Sequence, residues 1–537
     1  MKSPWFLLVA AVALPAGGGG AYVALHPDCL RSANPAACKD GLCCEAPTRG
    51  QSLVAFAAAV DEGKPGKSDS PMFGGTPQRN MVNTIDKNVP IDFGIEEGKE
   101  KNVLWSALLG DKAYGGPVIA NGRIYVGTNN INPRDPKDMS DGSVAVLMVF
   151  EEKTGKFLWQ LKHPCPPNPI FGQARGEGLC STPCVDAGLV YYTTPACVLV
   201  CADAKGNADG TGKIVWLYDM MKELNVEPFH LGNCSPLVAG DLVFVVTGNG
   251  RNDKTGKVTD PKAPSFAAFN KKTGKLAWKS DLPGGEIVEG QWSNPALGIV
   301  GGKPQVIFPG GDSVLYSFEP TTGKLLWKLD CQPEKAKNGG GAGIQNYFIS
   351  TPVVVGDRLY VGLGVYPGGH PNPTKFSHVV CIDITKSGDV SPKNLDAKDP
   401  ANKASALVWA YGGEVVPRPK KGRRVFFERT ISTCAVSGGL VYIAEEQGYL
   451  HCLDAKTGEQ LWDDDLKDAI WGSPYCVDGK VYISTESGTM NIYAAGPKKN
   501  VIASLELTPT IHSTPVVANG VLYVMTNAKL FAIVEKK

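Results

Sequence analysis

Histidine is scarce in this chain, seven in 537 residues, and its cysteines never fall at a CxxC or CxxCH spacing. Neither a zinc ribbon nor a covalently attached c-type haem has support. HExxH and GxSxG are also missing, which removes the zinc-protease and nucleophile-elbow signatures. An excess of one charge is lacking too. Lys and Arg total 54 against 53 Asp and Glu, a net +1. That balance gives no electrostatic reason to expect nucleic acid or another polyanion. What the chain does have is turn formers, 63 Gly and 40 Pro, the composition of many short elements joined by tight turns.

The first 25 residues, MKSPWFLLVAAVALPAGGGGAYVAL, place Lys2 before an apolar run from Trp5 to Leu25. Such a run is a targeting segment, read either as a cleaved signal peptide or as a retained membrane anchor, and is kept out of fold reasoning. Any membrane contact is expected through this anchor alone. The expected location is the periplasm or cell envelope. Export makes disulfides possible among the 15 cysteines. Cys29, Cys38 and the adjacent pair Cys43-Cys44 read as a small disulfide-bonded knot in a tether spanning 26–100. Cys180 and Cys184, then Cys197 and Cys201, share strand faces and are read either as an interstrand disulfide or as small buried thiols.

An internal repeat decides the fold. GGPVIANGRIYVG at 115–127 recurs as STPCVDAGLVYYT, CSPLVAGDLVFVV, SNPALGIVGGKPQVIF, STPVVVGDRLYVG, STCAVSGGLVYIA, GSPYCVDGKVYIS and STPVVANGVLYVM. Each copy is a hairpin whose turn supplies the positive φ that tight turns need. A second motif follows most copies: FEEKTGKFLW, DGTGKIVW, FNKKTGKLAW, FEPTTGKLLW and LDAKTGEQLW. It adds two strands around a Thr-Gly-Lys turn and ends on a tryptophan. Each unit is thus a four-stranded antiparallel blade, and the chain is predicted to be an all-β, eight-bladed β-propeller over 101–537. The tryptophans are expected to pack between neighbouring blades. The last copy stops before a fourth strand, while KNVLWSALL carries Trp105 with no hairpin before it. This N-terminal strand is expected to complete the eighth blade and close the ring.

The T-G-K/E-x-x-W spacing resembles the tryptophan-docking repeats of the PQQ-like (quinoprotein alcohol dehydrogenase-like) β-propeller superfamily. PMFGGTPQRNMVN at 71–83 is similar to the leading segment of bacterial envelope proteins with PQQ-binding-like repeats. The resemblance implies one of two functions. Some members are pyrroloquinoline quinone (PQQ)- and Ca-dependent dehydrogenases of alcohols or sugars. Others are non-catalytic propellers that assist outer-membrane protein assembly. In the alcohol-oxidising members the quinone is held between a tryptophan and a ring of two adjacent disulfide-bonded cysteines. Calcium is held by Glu, Asn and Asp. Here the adjacent pair lies far ahead of the first hairpin, which argues against that chemistry.

The residues before each repeat proline should lie at the channel mouth. Three positions before, the blades offer Tyr114, Cys180, Asn233, Trp292, Ile349, Ile431, Trp471 and His512; six before, Asp111, Glu177, His230, Glu289, Asn346, Glu428, Asp468 and Pro509. If PQQ binds, Trp292, Asn346, Arg429 and Trp471 are its candidate contacts, with Glu177 and Glu289 as metal ligands. The duller reading of the acids is a solvated rim. The repeat prolines spread to 66 residues between the first two blades (183 − 117) and 82 between the fifth and sixth (434 − 352). The added polar loops decorate the ring, where binding to a protein partner is expected. The favoured expectation is a non-catalytic binding or scaffold module, with the quinoprotein dehydrogenase as the alternative.

Overall fold

A computed structural model describes residues 68–138, 140–165, 176–333, 346–364, 377–413 and 427–535. The targeting run, the four tether cysteines and the basic stretch at 417–424 lie outside the described residues. Among those that are described, eight antiparallel sheets of at least four strands account for nearly all regular structure. Among the described residues the α-helix Met220–Leu224 is a single turn capped by Asp219, and no helix there is long and apolar enough to cross a membrane.

In blade one the strands run in order Val118–Ala120, Arg123–Asn129, Val144–Glu151 and Phe157–Pro164 (strands a to d). The innermost strands a of blades two to eight are Cys184–Asp186, Leu237–Ala239, Ala296–Val300, Val353–Val355, Ala435–Ser437, Tyr475–Val477 and Val516–Ala518. Strands a and b are buried at almost every position. The outer strands alternate, as in Val103–Leu108, where Leu104 and Leu108 face solvent. Val103–Leu108 is the fourth strand of the eighth sheet and pairs antiparallel with Lys529–Ile533, Ala107 opposite Leu530.

The tryptophans sit between blades. Trp105, Trp216, Trp278, Trp409 and Trp462 each donate their indole N–H to a carbonyl of the next blade, those of Glu152, Lys271, Pro320, Ala455 and Gly496. In every blade the outer strand pair shifts register beside the third-to-fourth turn, a bulge that aims this ring sideways. The turn glycine of the receiving blade must be glycine. At Gly274 φ is +68°, and a Cβ would stand 2.7 Å from the Trp216 ring. Trp327 differs, donating to Gln305 of its own blade at 2.6 Å. There the long fifth-blade insertion lays Gly388–Asp389 in parallel along the edge strand Leu325–Asp330.

The small polar residue before each proline also joins blades. Backbone N–H groups of Gly116, Thr182, Ser235, Thr351, Thr433 and Ser473 donate to the side-chain oxygens of Thr182, Ser235, Asn294, Thr433, Ser473 and Thr514. Asn294 Nδ2 bridges to Thr351 Oγ1 at 2.8 Å. Seven links thus join eight blades into one belt. An eighth, from Thr514 back to blade one, has no acceptor because Gly116 carries no side chain.

One reading of the cysteines is corrected. Cys184 and Cys201 both lie opposite Tyr191, on the two strands flanking its own. That puts them two strand spacings apart, about 9–10 Å, beyond disulfide reach. All four cysteines of this group are free, and burial pushes the thiols of Cys180, Cys184 and Cys201 up to about 12. They are packing groups.

Candidate functional site

The two ends of the central channel differ. At the end carrying the first hairpin turns, residues 70–83 run across the axis and touch every blade. Ser70 exchanges two backbone hydrogen bonds with Ile119. The carbonyls of Pro71, Pro77, Gln78 and Met81 accept from Val185, Leu297, Val354 and Cys476. Asn80 brackets Val436, and Asn83 Nδ2 reaches Val517 O. These partners stand two places after the repeat proline (Cys434 in blade six), so the alternation of strand a delivers their backbone groups to the axis.

Arg79 is the centre of this plug. It is fully buried, at φ 64°, and its guanidinium donates to the carbonyls of Pro295, Phe73, Ser235 and Pro236 at 2.9–3.1 Å. No carboxylate faces it, and burial pulls it down to about 10. Sequence reasoning recognised the segment but missed this role, because backbone partners leave no residue pattern.

The residues before the prolines therefore lie at the opposite mouth, where most of the predicted site residues are found. They divide into two groups on opposing sides of the ring. On blades seven, eight, one and two, Tyr114 stacks on His512 (4.9 Å, 2°), and Trp471 tilts against both at 5.8 and 4.9 Å. Tyr114 lies beside Glu177, and burial together with that carboxylate pushes its hydroxyl well above the usual phenol range. Lys112 Nζ stands 3.9 Å from Glu177 Oε2, and His512 Nε2 meets Glu486 Oε1 at 3.2 Å. Burial holds the imidazole below its ordinary value despite the glutamate.

On blades three to six, Trp292 packs edge-on against Phe229 and Tyr347. Glu289 lies beside Tyr347 and faces Arg251 at 3.9 Å. Arg429, 9% exposed, pairs through Nε with Glu446 Oε2 at 3.2 Å, so its partner is this neighbour across the turn. Glu446 is held above the usual carboxylate range, chiefly by burial. Asn346 is not brought to either group by its backbone contacts. Its N–H donates to Gln332 and its carbonyl accepts from Ser313, inside the loop between blades four and five. Asp111 and Asp468 are engaged with Asn129 and Ser487.

Lys112, Arg251, Tyr347, Glu446 and Glu486 were not found from the repeat register. One signal was present. AEEQG at 444–448 and STESG at 484–488 place Glu446 and Glu486 at equivalent points of two blades.

A quinone with calcium can be tested against this donor set. Glu289 and Glu446 are committed to arginines, and Glu177 lies on the other side of the mouth from Glu289. Among the described residues no three His, Cys, Asp or Glu side chains come together to hold a metal ion. The Trp471 and Trp292 rings already pack on aromatic neighbours of this chain. A divalent cation wants six to eight oxygens, so the residues described do not fit the group, and no step is routed through it.

Together these features define an eight-bladed tryptophan-docked propeller, plugged at one end and lined with aromatics and carboxylates at the other. By sequence the chain belongs to the PQQ_2 family, described as outer membrane protein assembly factor BamB, whose profile matches residues 143–423 and 406–499. It is 26% identical over 358 residues to the dehydrogenase subunit of a quinone alcohol dehydrogenase of Gluconobacter oxydans, covering 64% of this chain and 38% of that protein. It is 20% identical over 404 residues to a tetrathionate hydrolase of Acidithiobacillus ferrooxidans, covering 70% of each. The chain spans about two fifths of the length of the quinone dehydrogenases it matches first. Among solved structures, Saccharomyces cerevisiae Sqt1 aligns with a TM-score of 0.50 at 11% identity, over 81% of this chain and 100% of that one, a likeness of fold.

Proposed function

We propose that this protein is an exported propeller of the cell envelope that acts as a non-catalytic binding or scaffold module, engaging a protein partner at the mouth opposite the plug. The observation that carries this reading is the chemistry of that mouth. Its acids are dispersed over several blades, Glu289 and Glu446 face arginines, and its tryptophans pack tilted or edge-on against neighbours of the same chain. The family description and the N-terminal targeting run support the location and the scaffold role.

A quinoprotein dehydrogenase of alcohols or sugars is the second reading, favoured by the sequence match to the Gluconobacter oxydans subunit. The two separate in one assay. Purified protein incubated with PQQ and Ca²⁺ is tested for dye-linked oxidation of primary alcohols and aldoses. The scaffold reading expects no turnover above quinone and dye without protein. Saturable turnover would overturn it.

A further inference from the structure

The two halves of the unplugged mouth are electrically unlike. On blades three to six, Glu289 faces Arg251 and Glu446 faces Arg429. On blades seven, eight, one and two, Glu177 has Lys112 at 3.9 Å, and Glu486 meets His512 Nε2 at 3.2 Å. This side carries an excess of negative charge beside the faces of Tyr114 and Trp471.

It also holds acceptors without donors. Glu177 Oε2 is buried and makes no hydrogen bond. His512 is 7% exposed, and its Nδ1 is likewise buried without a hydrogen bond. A carboxylate can only accept, so the contact with Glu486 requires the proton on His512 Nε2. Burial holds the imidazole below its ordinary value, and in the neutral ring Nδ1 carries a bare lone pair. A buried acceptor lacking a donor is destabilising, and two beside one tyrosine call for a group that donates in several directions.

We propose that Tyr114, Glu177, Trp471 and His512 form a pocket for the cationic end of a lysine or arginine side chain presented by a partner protein. An ammonium offers three donors and a guanidinium five, enough for Glu177 Oε2 and His512 Nδ1 together. The electron-rich ring faces add cation–π attraction. On the other half the buried acceptor Glu446 Oε2 already has the Arg429 cation 3.2 Å away, against 3.9 Å for Lys112 at Glu177, so an incoming cation goes to the blade-eight side. The proposal rests on the reading of this mouth as a binding site and names what enters it.

Isothermal titration of the full chain tests it with three probes: Nα-acetyl-lysine methylamide, the uncharged norleucine analogue and n-butylamine. The lysine probe is expected to bind at least tenfold more tightly than the norleucine analogue. Glu177→Gln turns an acceptor into a donor and is expected to weaken the lysine probe at least tenfold without changing the melting temperature. Trp471→Leu is expected to weaken it severalfold. Equal binding of the lysine and norleucine probes, no heat from the lysine probe, or an unchanged affinity in a folded Glu177→Gln variant would each overturn the pocket. Binding of n-butylamine with no binding of the lysine probe would overturn a protein-borne source. Saturable quinone-dependent turnover, by contrast, would overturn the scaffold reading and leave this titration readable.

Discussion

Replacing Arg79 by methionine removes the guanidinium from the plug while keeping an unbranched apolar stem. Four carbonyls, those of Phe73, Ser235, Pro236 and Pro295, lose a donor in a site closed to water. At about 1–3 kcal/mol for each orphaned acceptor, the gross loss is roughly 4–12 kcal/mol. Against this stands the relief of burying a cation. The guanidinium falls from 12.5 to about 10, a cost of about 3 kcal/mol at 1.36 kcal/mol for each tenfold change. Carbonyls recover part of the remainder by relaxing, which leaves an expected net loss of about 3–5 kcal/mol, the range found when buried charge contacts lose a partner. Arg79→Lys, with three donors at one point in place of a planar fork, should lose roughly half as much. Urea unfolding followed by tryptophan fluorescence reads both variants. An Arg79→Met protein within about 1 kcal/mol of wild type would refute the idea that this residue locks the blades to the plug.

Gly116→Ser should supply the missing acceptor of the inter-blade belt. A Cβ there meets nothing closer than 4.0 Å, and the expected gain is about 0.5–1.5 kcal/mol by thermal melting. Gly274→Ala should cost about 2–4 kcal/mol, because the new methyl collides with Trp216 at a left-handed backbone position. Asp312 lines a cleft of about 380 Å³ with Tyr316 and Asp330, and burial raises its carboxyl to about 6. The folded protein therefore binds this proton more tightly than the unfolded chain, so the stabilisation is full below about pH 4 and is lost as pH rises through 6. Asp312→Asn keeps an acceptor for the Tyr316 hydroxyl, so it should remove that slope and raise stability at pH 7.5, by at most about 3 kcal/mol.

The ring was readable in the sequence because its units repeat. The Thr-Gly-Lys turn, the following tryptophan and the proline hairpin recur at fixed offsets, and a packing device used once per blade leaves a periodic trace. The small polar residue before each proline was equally visible, but its link to the next blade emerges only from ring geometry. The plug escaped because it binds through backbone carbonyls and amides, which any side chain can accompany. At the mouth opposite the plug, the proline register reached Tyr114, Glu177, Glu289, Trp292, Trp471 and His512. Lys112, Arg251, Tyr347, Glu446 and Glu486 arrive from turns and loops of unequal length, where offset from the proline carries no information.

The central claim is that the mouth opposite the plug is a protein-binding surface and not a quinone site. Equilibrium dialysis of the purified chain against PQQ with Ca²⁺, read by quinone absorbance for each chain, tests it most directly. The account predicts no retention beyond that of an unrelated protein at the same concentration. Retention approaching one quinone per chain would contradict it.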